Sequence, residues 1–369
     1  MIGLGKRCSK HGADTSSVEP SAQMDALLNG PAPILALAPM QEVTDLPFWR
    51  LLAARGGPDV YWTEYFRVHS TSRLEKSILR SLDENPTGRP AIAQLIGNDE
   101  DAMASAAREL QHHPVAAIDL NLGCPAPVVY RKCAGGGLLR EPHRIDRLLG
   151  RLRETIGSKG IRFTVKTRIG FDTPDAFPAL LAIFSRHSLD LLTVHGRTVL
   201  EMYRPPVHYD RIRQAVETMP CPVLANGNVD SPRRAREILT MTGARGLMIG
   251  RGCIRNPWLY DQIRQHLAGE TVRRPTGREM LAYVHDLWRA SEPVDSIERL
   301  QVVHMKRYMN FIGVGISPDP AVCADFLHRI RRATTRVEFF EACSAVLDHD
   351  RPLDLVPPEA ESEASSECG

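Results

Sequence analysis

No Cys-x-x-Cys pair occurs among the eight cysteines (8, 124, 133, 221, 253, 323, 343 and 368) of this 369-residue chain. A chain this long does not need disulfide staples, so reduced thiols are expected, and no zinc or iron–sulfur site. His112-His113 before Pro114 has no third ligand and reads as a helix end. Apolar runs never reach the roughly 18 residues that span a bilayer, so no transmembrane helix is expected. Residues before Pro31 lack the apolar core of a secretory signal, and Asp14 and Glu19 argue against an acid-poor transit peptide. A cytoplasmic protein is expected. Charge of one sign is also missing: 46 Lys and Arg against 44 Asp and Glu leave +2, so a nucleic-acid partner would need a local basic patch. Composition, 43% hydrophobic and 24% charged, is that of a soluble globular protein.

What the chain does have is a repeating alternation. Short apolar or β-branched runs predict strands at Ile34–Ala38, Val60–Glu64, Ala91–Ile96, Ala117–Leu122, Phe163–Thr167, Leu191–Val194, Val223–Ala225 and Gly246–Ile249. Amphipathic stretches lie between them: Asp45–Ala54, Asp99–Gln111, His143–Thr155, Asp175–His187, His208–Thr218 and Ser231–Met241. Several begin at an Asp or Ser able to cap exposed N–H groups. Eight such units predict an α/β fold, a (β/α)8 TIM barrel over residues 31–268. The absence of a GxGxxG after the first strand favours closure over an open doubly wound sheet. After Trp258–Leu267 the strand signals stop. Arg278–Ala290, Ser296–Phe311, Ala321–Ala333 and Val337–Leu347 predict a small C-terminal helical domain over 269–350. Residues 1–30 and the acidic tail 351–369 are expected to be disordered.

Polar residues gather where the strands end, at Met40-Gln41-Glu42, Glu64-Tyr65, Gln94, Asn121 with Cys124, Lys166 with Arg168, His195-Gly-Arg197, Asn226-Gly227-Asn228 and Gly250-Arg251-Gly252. In a barrel these form one ring at the C-terminal face, where active sites are built. Cys124 follows a Gly and precedes a Pro at the end of the fourth strand. Nearby Cys133 reads as structural, and Gly135-Gly136-Gly137 is a return that lets backbone approach a flat or phosphorylated ligand. The ends of strands seven and eight are common phosphate seats. Singly, Cys124 also reads as a small core hydrophobe, His195 as a hydrogen-bonded core residue and Asn226-Gly227 as a turn. Their joint order on eight strands favours chemistry. The aromatic run Tyr61-Trp62-Thr63-Glu64-Tyr65-Phe66 suits packing or a base pocket equally.

The segment 118–139 resembles the active-site signature of the tRNA-dihydrouridine synthases, strongly over about 34–265 and weakly through Val303-His304-Met-Lys306-Arg307-Tyr308. The resemblance implies FMN as cofactor and NADPH as its reductant. It assigns Pro39 and Met40, in Ala38-Pro39-Met40 with Val43-Thr44-Asp45, to the wall against the flavin, although Gln41-Glu42 departs from the small residues usual there. It assigns Gln94, Lys166 and His195 to the flavin, and Asn226, Gly227, Asn228, Gly250 and Arg251 to the phosphate grip. Cys124 matches the catalytic cysteine, expected to protonate C5 of a uracil after hydride reaches C6. Asn121, Arg168 and Tyr203 match positions that hold the uridine, and Lys306 and Arg307 are expected to meet tRNA. Arg329, Arg331, Arg332 and Arg336 form a basic cluster that reads as an RNA contact or as a solvated helix face. A D-loop uridine is the expected target, and a monomer suffices. The alternative is an FMN-dependent barrel oxidoreductase acting on ribosomal RNA or on a small pyrimidine or enoyl substrate.

Overall fold

Eight parallel strands close in sequence order in the computed structural model, which describes residues 19–157, 160–291 and 297–357. They are β1 (Ile34–Leu37), β2 (Val60–Val68), β3 (Ala91–Gly97), β4 (Ala117–Leu122), β5 (Arg162–Arg168), β6 (Leu191–His195), β7 (Val223–Asn226) and β8 (Gly246–Ile249). Closure runs through β1 and β8, with Ile34 opposite Gly246 and Leu37 opposite Ile249. Each strand alternates its side chains. Leu35, Ala93, Ile118, Val165, Leu192, Val223 and Leu247 face the surrounding helices, while Ile34, Ala36, Trp62, Ile92, Ala117, Leu191, Leu224 and Met248 fill the barrel interior.

The expected order of elements is observed, and a helix at Lys76–Asp83 adds to it. Helix starts follow capping chemistry. Asp45, Asp99 and Ser231 each accept a backbone N–H in the first turn of their helices.

Both expected disordered ends need correction where they are described. Pro20–Asn29 forms a helix under the N-terminal mouth of the barrel, with Met24 fully buried in the interior cluster and Leu27 and Leu28 packed against it. The apolar floor of a barrel must be covered, and this i, i+3, i+4 triplet covers it. Asp25 clamps the Arg162 guanidinium at 2.7 and 2.5 Å. Met24→Ala is expected to lower stability by about 2–5 kcal/mol, measured as a shift in urea midpoint at unchanged slope. At the other end, Leu353 and Leu355 are buried, the Leu353 amide donates to the Pro275 carbonyl at 2.7 Å, and Thr276 bridges to Pro352. Residues 1–18 and 358–369, the rest of those two segments, lie outside the described residues, as does Ser296.

Helices Gly277–Ala290, Glu298–Ile312, Pro320–Arg332 and Arg336–Leu347 make the C-terminal unit. Thr276 and Thr335 open two of them with reciprocal capping boxes. Its apolar residues join the core that surrounds the barrel. Tyr308 donates its hydroxyl to the Val43 carbonyl at 3.2 Å and stacks on Phe48, and Arg55 lies 5.1 Å from the centre of the Tyr283 ring. Among the described residues no helix is long and apolar enough to cross a membrane, and no cluster of three or more His, Cys, Asp or Glu is arranged to hold a metal.

Candidate active site

Cys124 stands half-buried just beyond β4, on a loop held from below. Asn121 Oδ1 accepts the amides of Gly123 at 3.0 Å and Cys124 at 2.9 Å. The Gly136 amide donates to the Cys124 carbonyl at 3.2 Å. The glycine run 135–137, expected to approach a ligand, serves this loop. A Cβ on Gly135 would sit 3.0 Å from Cys124 Cβ, and one on Gly136 would sit 2.5 Å from Val199 and 2.9 Å from the Cys124 carbonyl. Among the described cysteines, only Cys124 and Cys133 are partly exposed. Cys133 adopts φ 52°, and the Glu141 carboxylate beside it pushes its thiol up. A thiol held in the protonated form by an acid suits the structural role expected of it.

Lys166 lies beside Asn121 in the β4–β5 register and points into the mouth. It makes no hydrogen bond among the described residues. Burial, then Arg168, hold its ammonium down to about 8, with Asp119 and Cys124 pulling the other way. His195 ends β6. Burial, followed by Arg168, Lys166, Arg197 and Arg251, keeps its imidazole well below its usual range and therefore neutral. Among the described residues, its Nδ1 and the Thr193 hydroxyl are buried with no partner. Buried polar atoms in this state call for a ligand.

The next corner is cationic. Arg197 approaches Asn228 Oδ1 at 3.3 and 3.4 Å, and Arg251 approaches the same oxygen at 3.4 Å. Asn228 adopts φ 46° after Gly227 at φ 133°, and the Gly227 carbonyl accepts the Tyr209 hydroxyl at 3.0 Å. Gly250 completes a cradle with the first strand, since a Cβ there would meet Met40 Sδ at 3.2 Å and Ala38 Cβ at 3.5 Å. The Ala38-Pro39-Met40 turn is itself fixed by Thr44, whose hydroxyl accepts the Met40 amide at 2.8 Å. Donor-rich cations, two orphaned polar atoms and a glycine-lined wall together fit a flat group carrying a phosphate, as the flavin assignment requires.

Several assigned residues are occupied within the protein. Asn226 donates to the Met248 carbonyl at 2.8 Å and so braces β7 against β8. Arg168 donates to the carbonyls of Gly123 at 2.9 Å, Thr198 at 2.7 Å and Met202 at 2.8 Å, tying the Cys124 loop to the loop after β6. Tyr203, 52% exposed, has Arg251 4.9 Å and Arg168 5.7 Å from its ring centre. Lys306 caps the Arg331 carbonyl at 2.9 Å, and Arg307 pairs with Glu42, joining the helical unit to the loop after β1. Arg329, Arg331, Arg332 and Arg336 are exposed.

One residue of the site was not anticipated, Asp119, and two others, Glu64 and Tyr65, were expected only as members of the strand-end ring. Asp119 is wholly buried and accepts Gln94 Nε2 at 2.7 Å and Thr164 Oγ1 at 2.5 Å. Its signal was available: a carboxylate two residues before Asn121, on the same strand face, inside an apolar run. Tyr65 faces the mouth because the β2–β3 register shifts between Trp62 and Tyr65, pairing Tyr65 with Gln94. Burial and the neighbouring Cys124 thiol push its phenol up. Glu64 is left to the rim, its carboxyl raised to about 7 by burial, with Asp45, Glu42 and Glu75 adding to the effect.

Comparison with known proteins bears on this site directly. The model of the dihydrouridine synthase family matches residues 36–304. A tRNA-dihydrouridine(16) synthase of Neisseria meningitidis serogroup A is 33% identical over 292 residues, covering 77% of this chain and 87% of its own. A tRNA-dihydrouridine synthase B of Vibrio parahaemolyticus is 35% identical over 240 residues, 64% of this chain and 73% of its own. Among solved structures, histamine dehydrogenase from a Rhizobium species superposes with TM-score 0.50 at 16% identity, covering 66% of this chain and 48% of its own, a likeness of fold alone. Agreement across that much of the sequence, by the family model and by a relative matched over 87% of its own length, makes this chain a member of the dihydrouridine synthase family.

Proposed function

We propose that the protein is an FMN-dependent, NADPH-consuming tRNA-dihydrouridine synthase that reduces a D-loop uridine, working as a cytoplasmic monomer. The observation that carries the reading is the pairing, at one mouth, of the Cys124 thiol with a Lys166 ammonium that has no hydrogen-bond partner among the described residues. Family membership and the relatives' names support the substrate class.

FMN, when bound, would supply a hydride to C6 of the uracil ring. Lys166 and His195 would line its polar edge, with Gln94 beside them. Arg251, Arg197 and Asn228 would hold its phosphate, Gly227 and Gly250 would admit it, and Pro39 and Met40 would wall it. Lys166 offers a fixed cation where negative charge gathers in the reduced state. Cys124 hands its proton to C5: the S–H bond breaks, a C5–H bond forms, and the thiolate recovers a proton from solvent. Asn121 orients the thiol and offers its amide to the ring, while Tyr203 and the wall shaped by Arg168 enclose the base. Extracting a uracil from its stack costs a few kcal/mol, which contacts to the flipped base offset. Arg329, Arg331, Arg332 and Arg336, with the charges of Lys306 and Arg307, would steer the phosphate backbone.

The test is anaerobic turnover of purified protein with FMN, NADPH and unmodified tRNA, followed by nuclease digestion and mass spectrometry. Dihydrouridine at a D-loop position supports the proposal. Reduced flavin with unaltered tRNA would sink the tRNA reading.

A further inference from the structure

A chain of side-chain hydrogen bonds runs under the site from a buried carboxylate to the Cys124 backbone. Thr164 and Gln94 donate to Asp119, Asn121 Nδ2 donates to Gln94 Oε1 at 2.8 Å, and Asn121 Oδ1 accepts the amides of Gly123 and Cys124. All four side chains are buried, on the neighbouring strands β3, β4 and β5, with Gln94 opposite Asp119 in the β3–β4 register.

We propose that Asp119 is a positioning residue that sets the direction in which the amides of Gln94 and Asn121 face, and through them holds the Cys124 loop. The inference rests on the reading of Cys124 and Asn121 given above and deepens it. An amide group has nearly the same shape either way round, so packing cannot choose between its oxygen and its nitrogen. Only the ends of the chain are unambiguous. An ionised carboxylate accepts and cannot donate, and a peptide N–H donates and cannot accept. Between these ends a single order of donors and acceptors satisfies every link. Reversing either amide sets donor against donor at one joint and acceptor against acceptor at the other, in an interior where neither reaches water. The carboxylate receives two donors, Gln94 Nε2 and Thr164 Oγ1, as the accepting form requires, and these bonds, with Trp62 and Lys166, oppose the rise to about 6 that burial causes.

Conservative and apolar replacements separate this role from simple packing. In Asp119→Asn, the new carbonyl can still accept from Gln94 while its NH2 donates to the Thr164 hydroxyl, which accepts as readily as it donates. The order of the relay survives. In Asp119→Leu no acceptor remains, and Gln94 loses its reference. Hydrogen exchange of the Gly123 and Cys124 amides in the flavin-loaded protein, read by mass spectrometry, reports the far end of the relay without depending on turnover. Asp119→Leu is expected to speed that exchange at least tenfold, and Asp119→Asn to stay within about threefold of the parent. Adding Asn121→Ala to Asp119→Leu should produce no further increase, because both break one chain. Unchanged exchange in Asp119→Leu, or equal acceleration in the Asn and Leu variants, would overturn the proposal. Should Asp119→Leu fail to fold, Gln94→Leu cuts the same relay at its middle with Asp119 intact. The same tenfold acceleration is then expected, and its absence would be equally fatal. Loss of tRNA activity in the parent protein would leave these exchange rates standing, so failure of the proposed function and failure of the relay remain distinct.

Discussion

Replacing Cys124 with Ala is expected to slow dihydrouridine formation by about 10²- to 10⁴-fold, the usual contribution of a positioned general acid. Reduction of the bound flavin by NADPH should stay within about twofold of the parent rate, because the thiol enters only after hydride has reached C6. Two separate traces check this: bleaching of the flavin on mixing with NADPH, and its reoxidation on adding tRNA. Only the second should slow. The loop itself should persist, because Asn121 holds it by the Gly123 and Cys124 amides, which Ala retains. Parent-like reoxidation by tRNA in the Ala variant would remove Cys124 from the mechanism.

Lys166→Met carries the other large effect, on the order of 10² in the rate of flavin reduction, comparable to removing one preorganised donor from a developing anion. Its pH dependence has a definite sign. Free lysine titrates near 10.5, and in the folded chain burial and Arg168 bring Lys166 down to about 8. Below about 8 the ammonium is charged and available to an anionic partner, and above it the amine is neutral. Affinity for reduced FMN should therefore weaken as pH rises through about 8, and Lys166→Met should be weak and flat over the same interval. Stability of the flavin-free protein should move the opposite way. Between about 8 and 10.5 the unfolded chain binds the proton that the folded chain has lost, so stability rises with pH there, and the Met variant should lose that slope. A wild-type affinity profile without an inflection near 8 would contradict the assignment.

The rim offers a smaller test. Glu42→Ala removes the partner of Arg307 at the junction of barrel and helical unit. Both groups are largely exposed, so thermal stability should change little. If Arg307 steers tRNA, freeing it should lower KM for tRNA severalfold with kcat unchanged, measured in the same turnover assay.

Much of this molecule was legible in the chain. Strands β4 and β8 have the bounds their apolar runs predicted, His195 ends β6, and Cys124, Asn228 and Arg251 follow β4, β7 and β8 within two residues. Other features escaped. The β2 run continues to Val68 instead of stopping at Glu64, and its register shift brings Tyr65 inward. Alternation counted along the strand alone cannot register a residue inserted against a neighbour. Arg168 reads in the sequence as a substrate ligand, and the structure makes it a tether as well, its carbonyl partners lying on two loops far apart in sequence.

By itself the sequence determined the eight β–α units, their order and the chemical types at each strand end, since hydrophobic periodicity and capping are local properties. Tertiary structure decided which of those side chains still have a hand free. It spent Asn226 and Arg168 on backbone carbonyls, left Lys166 and the Nδ1 of His195 without a partner among the described residues, and strung Asp119, Gln94 and Asn121 into one line ending at Cys124. Hydrogen-bond partnership depends on which strands lie side by side and in what register, and only closure of the barrel sets that.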